Sequence, residues 1–232
     1  MFPQTRISII QKLQNPKERQ QALDGFIKLY WLSVYKYLRM KWNKDEEDAK
    51  DLTQAFFLRS LEKNFFTGFD PNRARFRTFL RVCLDGFAAN ERKAQLTAKR
   101  GGQLAHVPLD FQIAEKELKE LQTQETPEKL FEQEWVRSVF RVSLERLAKE
   151  YEQNGKSRVF QVFERYEMEA AQDMSYKDIA SEFEVSVTQI TNYLADARKQ
   201  FRRIVLETLQ EATTTEEEFR SEVRSLLGIE IE

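Results

Sequence analysis

The stretch Ser175–Arg203, SYKDIASEFEVSVTQITNYLADARKQFRR, decides the fold of the second half of this chain. It contains two capping boxes, Ser175–Asp178 and Ser186–Gln189, and each marks the start of a helix. Apolar residues repeat at helical spacing on both sides of a short turn: Ile179, Ala180, Phe183, Val185, Val187, Ile190, Leu194, Ala197 and Phe201. Two helices joined by a tight turn predict a helix-turn-helix.

The outer face of its second helix carries side chains suited to DNA. Gln and Asn can hydrogen-bond adenine edges in a major groove, and Arg and Lys can hold phosphates. The expected contact residues are Ser186, Thr188, Gln189, Thr191, Asn192, Tyr193, Arg198, Lys199 and Arg202, with Arg203 as a further cation. Two residues oppose this interpretation, because Glu184 occupies a turn position that favours glycine and Asp196 would repel phosphate. A helical hairpin with ordinary solvated residues is the alternative.

The composition favours helices and makes most enzyme classes improbable. The 232 residues include only 7 Gly and 5 Pro, which indicates long helices rather than strands and turns. Charged residues make up 32%, against about 25% in soluble proteins. A single Cys and a single His give too few ligands for most zinc sites and no pair for a hydrolytic triad. We therefore expect an all-α, cytoplasmic protein with no enzyme activity, no metal and no cofactor, and no membrane segment.

Charge is segregated along the chain although the net charge is only -1. Residues 73–100 are basic and residues 207–232 are acidic, which indicates a local anion-binding surface and a separate acidic tail. Together with the helical periodicity, this predicts a helical domain at 1–100, a flexible linker at 101–127, a second helical domain at 128–208 and an acidic tail at 209–232. The tail is expected to be solvated; the alternative is that it folds over the basic patch.

The first domain has two helices whose pattern bears on function. The helix over 45–65 is apolar on more than one side, so it either lies deep in a core or presents an apolar surface to a partner. A helix from Phe76 carries an apolar stripe, with Arg77, Arg81 and Arg92 in one narrow sector opposite it. Phe76 and Phe79 fit the stripe and are predicted to be core.

Three segments, in this order, resemble the extracytoplasmic-function sigma factors, the two-domain form of the bacterial sigma-70 family. Asp48–Arg59, DAKDLTQAFFLR, is similar to the family's region 2.2, with Lys50 in place of its usual Glu. Phe76–Lys93 looks like regions 2.3 and 2.4, and Ser175–Lys199 like the region 4 helix-turn-helix. The resemblance implies a region 2 domain, a linker and a region 4 domain, and a function in promoter recognition and DNA opening.

The resemblance also implies roles for individual residues. Docking on the clamp coiled coil of core RNA polymerase would use Asp48, Asp51, Leu52, Gln54, Phe56 and Arg59, and phosphorylation of Thr53 within this surface is a possible switch. Capture of the melted -10 element would use Phe69, Arg73, Arg75, Arg77, Arg81, Asn90, Arg92 and Lys93, since aromatic rings stack on unpaired bases and cations hold the backbone. Asn90 could instead bond a helix-end carbonyl. The helix-turn-helix residues would read the -35 element.

Other functions remain open from the sequence. The expected partners are core RNA polymerase, through its clamp coiled coil and flap, promoter DNA, and an anti-sigma factor, a kinase or another helper. A helix-turn-helix regulator that binds duplex DNA alone is one alternative. The other is a sigma-derived adaptor that depends on a helper for promoter choice, because the recognition helix has Thr191, Tyr193 and Ala195 where the family often has basic residues.

Overall fold

The computed structural model of this chain describes residues 8–15, 17–97, 109–120, 125–169 and 174–230. These residues form helices and turns without a strand, so the all-α prediction is confirmed. The helices are α1 (Ile9–Gln14), α2 (Arg19–Lys41), α3 (Glu46–Glu62), α4 (Phe76–Thr97), α5 (Phe111–Glu120), α6 (Pro127–Gln153), α7 (Ser157–Glu164), α8 (Tyr176–Glu182), α9 (Val187–Ala212) and α10 (Glu216–Leu227). A short 3-10 helix (Phe65–Gly68) precedes α4, and a π-helical turn (Arg165–Glu169) follows α7. None of these helices combines the length and apolarity needed to cross a bilayer.

The chain divides into two compact units, and their boundaries differ from the predicted domains. The first unit is Met1–Ser138 together with Leu209–Glu232, and the second is Val139–Thr208. The acidic tail thus belongs to the first unit, and so do α5 and the first part of α6. The reason lies in apolar and charged contacts of these segments, which sequence periodicity does not reveal.

Aromatic rings from four segments form the core of the first unit. Phe26 of α2 makes edge-to-face contacts with Phe57, Phe66 and Phe76 at centroid distances of 5.5, 5.0 and 6.1 Å. Such pairs add about 0.5–1.5 kcal/mol each beyond the burial of their area. Phe56 and Phe57 are fully buried, so α3 lies deep in the core. This decides between the two interpretations of the 45–65 helix.

The predicted linker contains a packed helix where the structure describes it. Phe111 of α5 contacts the rings of Trp31 and Tyr35 on α2 at 5.6 and 5.0 Å. Beside them, Arg39 Nε donates to Glu115 Oε1 at 2.7 Å. The expectation of a flexible linker is therefore wrong for α5, because an amphipathic helix here has both an apolar anchor and an ion pair. Residues 101–108 and 121–124 lie outside the described residues.

The acidic tail also forms a packed helix, which corrects the expectation that it is solvated. Thr215 caps α10, its Oγ1 accepting from the Glu218 backbone N–H at 3.1 Å, and Gly228 ends the helix with a φ of 64°. Phe219 and Val223 are buried on its inner face. The sequence did not predict this packing because the apolar pair lies within a segment rich in glutamate.

The second unit has its own core around the helix-turn-helix. Residues from α6, α7, α8 and α9 share one buried apolar cluster, which includes Leu147, Val159, Val162, Phe163, Ile179, Ile190, Leu194 and Ala197. The partly exposed Phe201 completes it and lies 5.7 Å from the ring of Phe163. This shared core therefore holds α8 and α9, the two helices of the motif, in a fixed orientation relative to each other.

Candidate nucleic-acid interface

Both predicted capping boxes are present and position the helix-turn-helix. Ser175 N–H donates to Asp178 Oδ2 at 2.8 Å, and Asp178 N–H returns a bond to Ser175 Oγ at 3.4 Å. The Ser175 hydroxyl also donates to Asp178 Oδ2 at 2.6 Å, and this bond together with that from the Ser175 N–H lowers the pKa of the Asp178 carboxyl. At the second helix, Ser186 N–H donates to Gln189 Oε1 at 3.0 Å and Gln189 N–H donates to Ser186 Oγ at 3.2 Å. The starts of α8 and α9 are thus confirmed as local features of the sequence.

The turn between the two helices adopts the conformation that the sequence required of it. Glu184 has a φ of 51°, in the left-handed region that favours glycine. Val185 N–H bonds the Ala180 carbonyl at 3.0 Å across the turn, and Arg158 of α7 bonds the Phe183 carbonyl. These contacts hold a non-glycine residue in a conformation that costs it about 1 kcal/mol.

The outer face of α9 is exposed, but several of its polar groups are already used locally. Ser186 and Gln189 serve the cap, and Thr191 Oγ1 donates to the Val187 carbonyl at 3.0 Å. Thr188 and Asn192 are exposed, whereas Tyr193 is half-buried against the core of this unit. Thr188 and Asn192 therefore keep their side chains exposed, and the Gln189 side-chain amide N–H makes no hydrogen bond to the described residues.

The basic residues of α9 fall into a paired set and an unpaired set. Arg198 Nη2 lies 2.6 Å from Glu167 Oε1, and Arg203 Nη2 lies 2.5 Å from Glu150 Oε2. Lys199 and Arg202 are exposed, and within the described part of the chain neither makes an ion pair or a side-chain hydrogen bond. Among the predicted phosphate contacts, these two carry positive charge that is free for a ligand.

Asp196, expected to repel phosphate, has a structural role. Its Oδ2 accepts a hydrogen bond from Tyr151 Oη at 3.1 Å, and the residue is half-buried. Burial and this carboxylate together raise the pKa of Tyr151. The negative charge of Asp196 is therefore partly turned toward α6 rather than toward a ligand on the outer face.

Sequence reasoning missed two residues on this surface. Val187 was expected to face inward, but 40% of it is exposed at the start of α9. Lys177 of α8 is exposed and lines an open groove together with Ser186 and Gln189. The available signal was the position of Lys177 as the second residue of α8, directly before the Asp178 of the capping box.

The predicted constellation for unpaired bases is not exposed as expected. Phe69 is only 7% exposed, and its ring contacts Phe76 at 5.1 Å and Phe79 at 5.4 Å. The prediction that Phe69 stacks on a base is wrong for this conformation, because the ring completes the aromatic core. Phe76 is fully buried as predicted, and Phe79 is half-buried.

Three of the predicted arginines meet in one ion-pair network. Glu222 Oε1 accepts from Arg75 Nη1 at 2.9 Å and from Arg77 Nη2 at 2.8 Å. Glu132 of α6 accepts from Arg77 Nε at 2.6 Å and lies 3.6 Å from Arg81. Arg77 was expected to be exposed, but it is 5% exposed and stacks over the Trp135 ring at 3.8 Å.

The other residues predicted to bind the -10 element do not take part in this network among the described residues. Arg73 is exposed and lies 3.5 Å from Asp70, and Arg92 is exposed near the end of the described part of α4. Asn90 is exposed and lines a cavity of about 340 Å³ with Phe65 and Phe87, among others. Lys93 lies outside the residues whose side chains the structure describes.

The predicted polymerase-docking residues separate into core and surface groups. Leu52, Gln54 and Phe56 are buried, so Leu52 and Phe56 do not present an apolar docking surface and Gln54 does not present its amide. Asp51 is exposed, Asp48 is half-exposed beside Lys44, and Arg59 pairs with Glu91 of α4. Thr53 is fully buried and donates to the Ala49 carbonyl at 2.7 Å, so the proposed phosphorylation site is inaccessible in this fold.

The described residues bring together no group of three or more His, Cys, Asp and Glu side chains in a geometry that would hold a metal ion. They do bring together a helix-turn-helix with two unpaired cations. They also bring together three arginines at the start of α4, which form ion pairs with Glu132 and Glu222. No protein-family model, curated protein or solved structure matches this chain.

Proposed function

We propose that this chain binds duplex DNA through its helix-turn-helix and acts as a promoter-specificity subunit of bacterial RNA polymerase. The observation that carries the DNA-binding part is the exposed face of α9. It offers polar side chains for base edges, and Lys199 and Arg202 make no ion pair with a carboxylate of the described residues. Val187 adds an apolar contact suited to a thymine methyl group. The sigma-type role is supported by the order of the three sequence segments that resemble that family.

A second candidate is a regulator that binds duplex DNA without opening it. Burial of Leu52, Phe56 and Phe69 favours this candidate, because strand opening and polymerase docking would lack the apolar contacts expected of them. The carboxylates on Arg75 and Arg77 favour it as well. The sequence resemblance favours the first candidate, so the two must be separated by experiment.

The DNA-binding step is tested by selection from a random duplex library, followed by titration of the selected duplex. Replacing both Lys199 and Arg202 with Ala should weaken binding about tenfold or more at low salt and reduce the salt slope by about two, one for each lost phosphate contact. Arg203→Ala is the matched control, because Arg203 already pairs with Glu150 and Glu207. Equal affinity of the double variant and the unaltered chain would contradict the proposal.

The polymerase step is tested with purified core enzyme and permanganate footprinting on the selected duplex. The sigma-type function predicts a complex with core enzyme and reactive thymines near -10, and Asp51→Asn should weaken the complex. Asp24→Asn on α2 is the control, since its side chain is 90% exposed and outside the α3 segment. Specific duplex binding with no core complex would establish the regulator instead.

A further inference from the structure

α10 joins the first unit through a specific contact. Phe219 and Val223 supply the apolar part, and both are almost fully buried. Between them along the helix, Ser221 and Glu222 face two arginines of the α4 region. Arg75 donates to Ser221 Oγ from Nη2 and to Glu222 Oε1 from Nη1, each at 2.9 Å. A helix of 12 residues thus brings one carboxylate and one hydroxyl to a basic surface.

Glu222 has the geometry of a phosphate substitute. One of its oxygens accepts from both Arg75 and Arg77, and the side chain is only 4% exposed. Arginine pairs with carboxylates and phosphates through the same planar donors. Burial lowers the pKa of Arg77, but the charges of Glu132 and Glu222 outweigh it and hold that pKa above its usual value, so the guanidinium stays charged under the helix.

The network also keeps a net positive charge. Among the described residues, the ion pairs of Arg75, Arg77 and Arg81 involve two carboxylates, those of Glu132 and Glu222. Removal of Glu222 would leave three guanidinium groups against one carboxylate. The surface under α10 is therefore suited to an anion with several charges.

We propose that α10 is a built-in occupant of a phosphate-binding surface formed by Arg75 and Arg77, and that the backbone of a nucleic acid displaces it. This inference rests on the proposed DNA-binding function and names a regulation of it. α10 and nucleic acid compete for the same donors, so each weakens the binding of the other by the same factor. Displacement exposes Arg75 fully and leaves Arg77 held by Glu132 and Trp135.

The first test compares two variants of α10 that change the net charge equally. Glu222→Gln weakens the contact with both arginines, whereas Glu217→Gln alters an exposed residue of the same helix. A labelled single-stranded oligodeoxynucleotide should bind Glu222→Gln about tenfold more tightly than the unaltered chain at low salt, and Glu217→Gln within about twofold. Adding Arg75→Ala to Glu222→Gln should remove most of the gain. Equal affinities of the two Gln variants would overturn the proposal.

The second test uses the unaltered chain, so its outcome does not depend on whether a variant folds. Hydrogen exchange of the α10 amides should become faster when the oligodeoxynucleotide or inorganic polyphosphate is bound, while α1 and α2 keep their exchange rates. Unchanged or slower exchange of α10 with either saturating anion would overturn the proposal. Polyphosphate supplies the phosphates without bases, so its effect reports on the arginine surface alone.

The two proposals fail in different ways. The Lys199→Ala, Arg202→Ala variant tests the helix-turn-helix, and the Glu222→Gln gain should persist in that background. If Glu222→Gln does not bind the oligodeoxynucleotide more tightly, while the unaltered chain binds the selected duplex, only the α10 proposal is overturned. An unaffected duplex affinity in the α9 variant overturns the proposed function, while release of α10 by polyphosphate would still support its competition with phosphate.

Discussion

The α4 region and the α9 surface are both rich in basic side chains, but they differ in which of these side chains already pair with carboxylates. Arg75, Arg77 and Arg81 pair with carboxylates of α6 and α10, and Arg77 is buried over an indole ring. Lys199 and Arg202 stand exposed without an ion pair among the described residues. The sequence predicted a local anion-binding surface at residues 73–100, whereas in the structure three arginines of that segment already pair with carboxylates.

This comparison shows that a basic sequence pattern does not measure accessible positive charge. The carboxylates that occupy Arg77 come from positions 55 and 145 residues further along the chain. Removing one partner of a buried ion pair destabilises a fold because the other charge is left buried and unpaired, whereas an unpaired cation on a helix surface remains available to a ligand.

The largest effect is expected from Arg77→Ala. Loss of this side chain leaves Glu132 and Glu222 without their shared partner, so the free energy of unfolding should fall by about 3 kcal/mol. Arg73→Ala is the control, since its side chain is 86% exposed and its ion pair with Asp70 is long, and it should change stability by less than about 0.5 kcal/mol. Urea unfolding followed by circular dichroism measures both. Similar small changes would mean that the α4 arginines are not structural.

Ser186→Ala should have an intermediate effect, confined to the helix-turn-helix. The change removes the Oγ that accepts from the Gln189 N–H, and loss of an N-cap costs about 1 kcal/mol. Thr188→Ala, two residues on and exposed, should cost much less because it makes no cap bond. Thermal unfolding of both variants measures the difference. If they were equally stable, the cap would not contribute to α9.

Glu184→Gly should raise stability by about 0.5 kcal/mol. Glycine adopts the φ of 51° without strain, and its greater freedom in the unfolded chain offsets part of that gain. Glu184→Ala removes the same side chain but keeps the strain, so it serves as the control. The two thermal midpoints should therefore differ, with the Gly variant the higher. Midpoints in the reverse order would show that the turn does not have this conformation.

The smallest effect concerns pH and the cap of α8. Hydrogen bonds from Ser175 lower the pKa of Asp178, so its contribution to stability is fully present above the unfolded value, about 3.9. The contribution is lost as the pH falls through the lowered pKa of the folded state. The stability difference between the unaltered chain and Asp178→Asn should therefore shrink on acidification below about pH 4. A difference that grows on acidification would contradict this assignment of the cap.

The parts of the molecule that the sequence predicted well depend on local interactions. The two capping boxes and the positive φ of Glu184 involve residues at most a few positions apart, and all are present. Apolar periodicity correctly predicted Ile190, Leu194 and Ala197 as core. It failed for Val187, because the first turn of a helix can project beyond the core that the rest of its stripe covers.

The candidate sites of the first unit were predicted less well, because their state depends on distant partners. Phe69 and Leu52 were expected at a binding surface, but each completes a core that several helices share. The spacing that placed Arg77 opposite the apolar stripe was sound, yet α6 and α10 cover that side as well. No local pattern indicates that a second layer of helices lies over a basic face.

The sequence by itself determined where α8 and α9 start, which residues cap them and that the chain is helical throughout its described part. Those features follow from hydrogen bonds and side-chain contacts within one or two turns. Only the tertiary structure decided which cations are free, which aromatic rings are exposed and that the acidic tail is a docked helix. The physical reason is that burial and ion pairing are settled between segments such as α4 and α10, which meet only in the folded chain.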